Sequence, residues 1–301
     1  MLVGDNVKDN YYNNIKQYLI DNEVYARVKD YSKNVNDIST YYKVGKELVL
    51  AGNQYGDKII NKYSERLEIE IGKKYNVRYL YDMKKLYLFS KVHPLDAQLT
   101  ISHYRILFKI KDNNEIDYYI EQIKLRNLSK RELTEIINNK EYQRLNNVTK
   151  NKLIKKDEYD VVDFAKNPIF IKNNLHINDI SEKVLQRLIL EDISSFMKEL
   201  GNGFSFIDNE YKIKVGDGYN YIDLLLYNIK YKCYVVIELK VIKLSYNHIG
   251  QIQMYMNYID KNVKGIDDNK TVGIIICKEN NKYVIDYCSD NRVIAREFEL
   301  L

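Results

Sequence analysis

The spacing of apolar residues divides the chain into two stretches with different rhythms. Up to about residue 150 they recur every three or four positions, the helical period. Ile15, Tyr18, Leu19 and Val24 form a first, uneven stripe. A polar stretch over 34–39 follows. Tyr41, Val44, Leu48 and Val49 then predict a helix that stops at Gly52. Ile59, Ile60, Tyr63, Leu67 and Ile71 predict another over 57–73. Asn76 is a candidate cap for a helix through about Ser90, with Val77, Leu80, Tyr81, Tyr87 and Leu88 turned inward. Further helices are expected over 95–111 and 114–126. One more starts at Ser129, whose spacing to Glu132 is that of a capping box. No strand is expected here. The polar, basic run over 146–156 reads as a linker, and Pro168 stands beyond it. The expected division is a helical domain over 1–150, a linker over 151–168 and a second domain over 169–301.

The second stretch mixes periods. Leu185, Leu188, Ile189, Ile193, Phe196, Met197 and Leu200 predict one helix from Ser181, stopped by Gly201-Asn202-Gly203. Strands are expected over 204–207 and 210–215, then a hairpin turn at Gly216-Asp217-Gly218. Two strongly apolar strands follow, around Leu224–Leu226 and Tyr234–Ile237. A helix over 246–260 faces inward through Ile249, Ile252, Met256 and Ile259. Strands over 271–277, 282–287 and 293–298 complete the pattern. This order predicts an α/β domain with a mixed central sheet flanked by helices.

Candidate chemistry lies on the two apolar strands. Asp223 is on the first; Glu238 and Lys240 end the second, one residue apart. Alternation along a strand sends Glu238 and Lys240 to one face. Antiparallel pairing through the short 228–232 connection brings Asp223 beside them. Phosphodiester hydrolysis needs a nucleophile from water and charge neutralised on phosphate, and a bound Mg²⁺ supplies both. Mg²⁺ takes oxygen ligands and only one or two carboxylates. Asp223 and Glu238 fit that role, with the Leu239 carbonyl as a third oxygen and Mn²⁺ as a substitute ion. Lys240 is placed to orient the attacking water or meet transition-state charge. The bland alternative is a turn-capping Asp223 and a sheet-edge ion pair between Glu238 and Lys240. Glu182 and Asp192 fall on the buried side of their helix, where an acid needs a partner. Either could join the metal or simply pair. Gln253 is a candidate to hold the attacking water or a phosphate, while Gln251 is expected to point outward.

Charge adds a second candidate surface. Residues 1–150 carry 26 Lys and Arg against 20 Asp and Glu, a net of +6; residues 151–301 carry 21 against 22, a net of −1; together these give the chain's +5. Lys73 and Lys74 lie just before the Asn76-capped helix and Arg78 and Lys85 on its outer side, and the helix follows a short turn from another. That arrangement resembles a helix-turn-helix recognition element, the alternative being a solvated surface helix. Cys233, Cys277 and Cys288 lack metal-site spacing and read as free thiols. The four His are dispersed. No apolar run approaches a membrane span, and no signal-peptide pattern opens the chain, so a cytoplasmic location without membrane contact is expected. The 29 tyrosines, with abundant Asn, Lys and Ile, suit an AT-rich genome.

Several blocks together carry a resemblance. YIDLLLYNIKYKCYVVIELKV, GQIQMYMNYID and TVGIIICKENN resemble the C-terminal domain of YhcG-like PD-(D/E)xK nucleases. YYKVGKELV, YGDKIINKYSERL, NVRYLYDMKKLYLF and LTISHYRILFKIKD resemble that family's N-terminal helical domain, described as winged-helix-like. The resemblance implies a restriction-endonuclease-like fold, divalent-metal DNA cleavage and a part in genome defence or DNA processing. It makes Asp223, Glu238 and Lys240 catalytic, and it matches Gln253 and Glu182 to polar and acidic helix positions. Gln186 departs from the pattern, where an acid is common. The expected partners are DNA, a second copy of the chain to cut both strands, and a defence-system protein. RNA as substrate, and a non-catalytic binding module in a defence or toxin–antitoxin system, both stay open.

Overall fold

The computed structural model describes residues 10–27, 33–56, 58–71, 75–174 and 180–301. The chain forms two compact units, Met1–Asn139 and Lys140–Leu301.

The described part of the first unit is helical: α1 (Asn10–Arg27), α2 (Lys33–Tyr55), α3 (Ile59–Ile71), α4 (Val77–Phe89), α5 (Ile101–Leu107), α6 (Asn113–Arg126) and α7 (Lys130–Asn138). Tyr12, Ile15, Val44, Leu48, Tyr63, Leu67, Leu80 and Leu86 of the inward stripes are all buried. α2 and α4 touch at Gly45, where a Cβ would stand 2.1 Å from the Met83 carbonyl oxygen, so only glycine permits that approach. Asn76 caps α4 by accepting the Tyr79 N–H at 2.9 Å. Ser129 and Glu132 form the expected capping box. One detail differs from expectation. The polar 34–39 stretch is helical, because Ile38 and Tyr41 bury its inner face. As expected, no strand occurs among the described residues of this unit, so the β-wing of a winged helix has no counterpart there.

The second unit holds α8 (Asn147–Lys155), β1 (Ile169–Ile171), α9 (Glu182–Glu191), α10 (Ile193–Leu200), β2 (Phe204–Val215), β3 (Gly218–Asn228), β4 (Cys233–Lys243), α11 (Tyr246–Asn262), β5 (Val272–Glu279), α12 (Lys282–Asp286) and β6 (Val293–Leu300). The strands form a mixed sheet in the order β1-β6-β5-β4-β3-β2. β2, β3 and β4 pair antiparallel; β4, β5, β6 and β1 pair parallel. Leu185, Leu188, Ile189 and Phe196 of α9 and α10 cover one face, against Leu224, Leu226, Val235, Ile237 and Ile274. Ile249, Ile252, Met256 and Ile259 of α11 cover the other, against Leu225, Val236 and Ile275. Burial on both faces explains why β4 and β5 read as continuous apolar runs. α11 sits so close to β5 that a Cβ on Gly273 would lie 2.6 Å from the Met256 sulfur and 2.9 Å from Ile252.

The expected linker is instead part of this unit. Residues 146–155 form the capped helix α8. The buried Thr149 hydroxyl donates to the Asp163 carbonyl at 2.7 Å, and Lys152 pairs with Asp163 at 2.8 Å. Polarity concealed the packing because these contacts are made by polar groups. The helix expected from Ser181 to Leu200 breaks at Asp192, which ends α9 and caps α10 through the Ser195 N–H at 3.1 Å, an alternative to helix continuation that Asp favours. The strand expected over 282–287 is the short helix α12, in which Val284 is buried. An apolar run that brief does not distinguish the two states. The two strands expected over 204–215 are one, β2, with a register shift between Phe206 and Asp208.

Candidate active site

The site forms where β3 and β4 part. Their ladder runs from Asn228↔Cys233 to Leu224↔Ile237 and goes no further. Asp223 and Glu238, next in line, do not pair through the backbone. Instead an Asp223 carboxylate oxygen accepts the Leu239 N–H at 2.7 Å. The Asp223 carbonyl, freed from the ladder, accepts the Gln186 side-chain N–H from α9 at 2.9 Å. One residue is therefore held at two points. N–H and C=O of a strand residue face the same edge, so the Leu239 carbonyl looks into the same opening.

β4 supplies the rest. Glu238 is 2% exposed and Lys240 8%. Alternation puts them on one face, and the Lys240 ammonium donates to a Glu238 oxygen at 2.7 Å. The other Glu238 oxygen is buried and accepts no hydrogen bond. Lys240 also lies 3.5 Å from Glu182, the half-exposed first residue of α9.

Two deeply set carboxylates stand near one buried cation, and burial and charge shift the affinity of each for a proton. Burial raises Asp223 above the ordinary carboxylate range, against the opposing pull of the Leu239 N–H and Lys240. Burial and then the charge of Asp223 push Glu238 up to about 7, although Lys240 opposes both. Burial would lower Lys240, but its bond to Glu238 and the surrounding acids more than offset that, and it is raised. Among the described residues no group of three or more His, Cys, Asp or Glu gathers as a metal cluster. The available donors are Asp223, Glu238 and the Leu239 carbonyl. The unpartnered Glu238 oxygen beside a second carboxylate fits a hard cation, which would supply the missing partner.

Sequence expectations meet the structure unevenly. Asp223, Glu238, Leu239 and Lys240 come together. Glu182 joins them through Lys240. Asp192 does not: it pairs with Lys172 at 2.6 Å and caps α10. Gln253 is not brought in either. Its amide lies 4.0 Å from the Cys288 sulfur, and it lines a polar depression with Asn257, Lys270 and Arg292. Helix rotation explains this. Ile252 and Met256 face β5 at Gly273, which turns Gln251 and Tyr255 to one flank and Gln253 and Asn257 to the other. Gln251, expected to point outward, donates to the Tyr255 hydroxyl at 2.9 Å. Burial raises that hydroxyl's pKa, and the charges of Glu238 and Asp223 raise it further. His248, near the start of α11, also went unnoticed in the sequence. Burial and the Lys240 charge lower its pKa. Neither it nor Gln186 carries a local signal, since their importance comes from contacts distant in sequence.

In the first unit, Arg78 and Lys85 line a groove of about 560 Å³ together with Arg105, Lys109 and Lys130. Arg105 pairs with Asp82 at 2.8 Å. Lys73 and Lys74 lie outside the described residues.

Comparison with known proteins follows the same division. Residues 162–299 match the YhcG PDDEXK nuclease domain, and residues 20–144 match the DUF1016 N-terminal domain. The "Putative nuclease YhcG" of Escherichia coli (strain K12) is 29% identical over 135 residues, 44% of this chain. That match spans 36% of the relative's length. A repair endonuclease from Pyrococcus abyssi is 19% identical over 42% of this chain and 49% of its own, with a TM-score of 0.29. An EndoMS–dsDNA2 complex is 18% identical over 43% and 48%, also at 0.29. Superpositions this partial carry no inference about substrate. No helix among the described residues is long and apolar enough to cross a membrane. Over residues 162–299 the chain is thus similar to the YhcG PDDEXK nuclease domain family, and over residues 20–144 to the DUF1016 N-terminal domain family.

Proposed function

We propose that this chain is a divalent-metal-dependent DNA endonuclease whose cleavage centre is the opening between β3 and β4. The observation that carries the reading is the buried, unpartnered Glu238 oxygen beside Asp223 and Lys240. Asp223, Glu238 and the Leu239 carbonyl would hold Mg²⁺, with Mn²⁺ as a substitute. When bound, the cation acidifies water and neutralises phosphate charge. Lys240, anchored on Glu238, holds a positive charge where negative charge grows on the phosphate as the bond to the leaving oxygen breaks. Gln186 fixes the Asp223 backbone, so the carboxylate keeps its direction. Glu182 holds Lys240 from the solvent side. The groove with Arg78 and Lys85 would contact the phosphate backbone. Action as a homodimer, with a defence-system partner, in cytoplasmic genome defence or DNA processing extends the same reading.

The test incubates purified protein with linear, circular, branched and single-stranded DNA and with RNA, in Mg²⁺ or in EDTA, beside Lys240→Ala. DNA cleavage by the parent in Mg²⁺, absent in EDTA and in the variant, supports the proposal. A variant that cuts as fast as the parent overturns the catalytic assignment. Cleavage of RNA alone overturns the substrate.

A further inference from the structure

The far end of the β2–β3 hairpin carries a surface that the proposed chemistry leaves unused. Lys212 pairs across the strands with Tyr221, and Lys214 with Tyr219. Side chains of directly opposed residues share a face of the sheet, so these four form one patch. Ile213, between the two lysines, and Ile222, next after Tyr221, are buried on the reverse. The patch itself is open: Tyr219 is 56% exposed and Tyr221 51%. β2 is the outermost strand, and no further strand covers it among the described residues. The Lys212 ammonium stands 3.9 Å from the centre of the Tyr219 ring. Neither lysine has an ion-pair partner among the described residues, so both charges are available to a ligand.

The patch shares β3 with Asp223, and because Ile213 and Ile222 pack with α11, it lies on the sheet face turned away from that helix. Tyr221 precedes Asp223 by two residues on β3 and Tyr219 by four, which is about 7 and 13 Å of strand. At the ~3.4 Å per nucleotide of a stacked strand, that spans about two to four nucleotides from the bond to be cut. Aromatic rings interleaved with lysines are the surface that unpaired nucleotides require, the rings stacking on bases and the ammoniums meeting phosphates. Bases sealed inside a duplex offer no such faces.

Resting on the nuclease reading above, we propose that this hairpin face binds unpaired nucleotides beside the cleavage centre. The preferred substrate is then DNA with a single-stranded segment flanking the cut, such as a flap or splayed end.

The test measures fluorescence anisotropy in EDTA, where nothing is cut. The probes are a labelled single strand, a flap and a blunt duplex of the same length. The proteins are the parent, Tyr219→Ala with Tyr221→Ala, and Lys212→Gln with Lys214→Gln. The tyrosine variant should lose about tenfold or more in affinity for single strand and flap, from ~1–3 kcal/mol per stacked base, and keep its duplex affinity. The lysine variant should flatten the salt dependence of single-strand binding by about 1.4 in slope, or ~0.7 per phosphate. All four residues are exposed, and an unchanged thermal melt shows that the fold is intact. Equal single-strand affinity in all three proteins overturns the proposal. So does a tyrosine variant that weakens duplex and single strand alike. Cleavage in Mg²⁺ separates the two readings. A parent that cuts, with hairpin variants that bind and cut like it, removes only this inference. Binding that needs the hairpin in a protein that never cuts removes only the nuclease reading.

Discussion

Two of the places where the second unit buries charge differ in how that charge is met, and the contrast supports the proposed site. Near the start of β1, Arg144 bonds Glu199 through two guanidinium nitrogens and donates to the Pro168 carbonyl at 2.7 Å. Glu199 also accepts the Phe170 N–H at 3.1 Å. Lys166, 1% exposed, donates to the Lys198 carbonyl at 2.5 Å and lies 3.7 Å from Glu141. Each cation there has a carboxylate of its own. At the parting of β3 and β4, Asp223, Glu238 and Glu182 share Lys240, and one Glu238 oxygen has no partner. A buried ion pair is costly to break; unbalanced buried charge with displaced pKa values is a candidate place for something else to bind.

The balanced cluster should be the more costly to break. Glu199→Ala removes the carboxylate that Arg144 bonds through two nitrogens, and should lower unfolding free energy by ~3–5 kcal/mol. A denaturant titration measures this, and cleavage per folded molecule should not change. A stable Glu199→Ala protein with lost cleavage would reverse the two roles. Lys240→Ala makes the opposite case: cleavage per folded molecule should fall about 10²–10³-fold, the range for loss of one transition-state donor.

pH sharpens the distinction. Glu238 moves from 4.5 in the unfolded chain to about 7 in the folded one, so the folded state holds its proton more tightly. Its contribution is fully present below pH 4.5 and is lost as pH rises through about 7. Asp223 is raised as well and acts in the same direction. In EDTA, Glu238→Gln should therefore melt higher than the parent above pH 7, on the order of 3–6 °C, and the gap should close towards pH 4.5. A gap that does not change with pH would mean Glu238 ionises normally. Because a cation needs the ionised form, metal affinity should climb through the same interval.

These residues were legible in the sequence to different depths. Asp223, Glu238 and Lys240 could be read because alternation and a short hairpin connection fix their side and their neighbours. Local signals also gave the Asn76 cap and the Ser129–Glu132 box. Contacts distant in sequence could not be read. Gln186 reaches Asp223 from 37 residues away, and Arg144 reaches Glu199 across 55. The rotation of α11, which brings Gln251 to Tyr255 and carries Gln253 away, depends on a glycine in another element. α8 was hidden because its packing is polar.

The smallest effect concerns the first unit. Arg78→Ala with Lys85→Ala should weaken duplex binding and reduce its salt slope by about 1.8, or ~0.9 per phosphate contact. Cleavage of saturating substrate should be unaffected. An unchanged slope would take nucleic acid away from that groove.

The most direct measurement is the position of Mn²⁺, found by anomalous scattering in crystals of the parent grown near pH 8. The ion should lie between the Asp223 and Glu238 carboxylates with the Leu239 carbonyl in its coordination shell, and Glu238→Gln crystals should lack it. Mn²⁺ bound elsewhere at saturating concentration, with the Glu238 oxygen still unpartnered, would contradict the account.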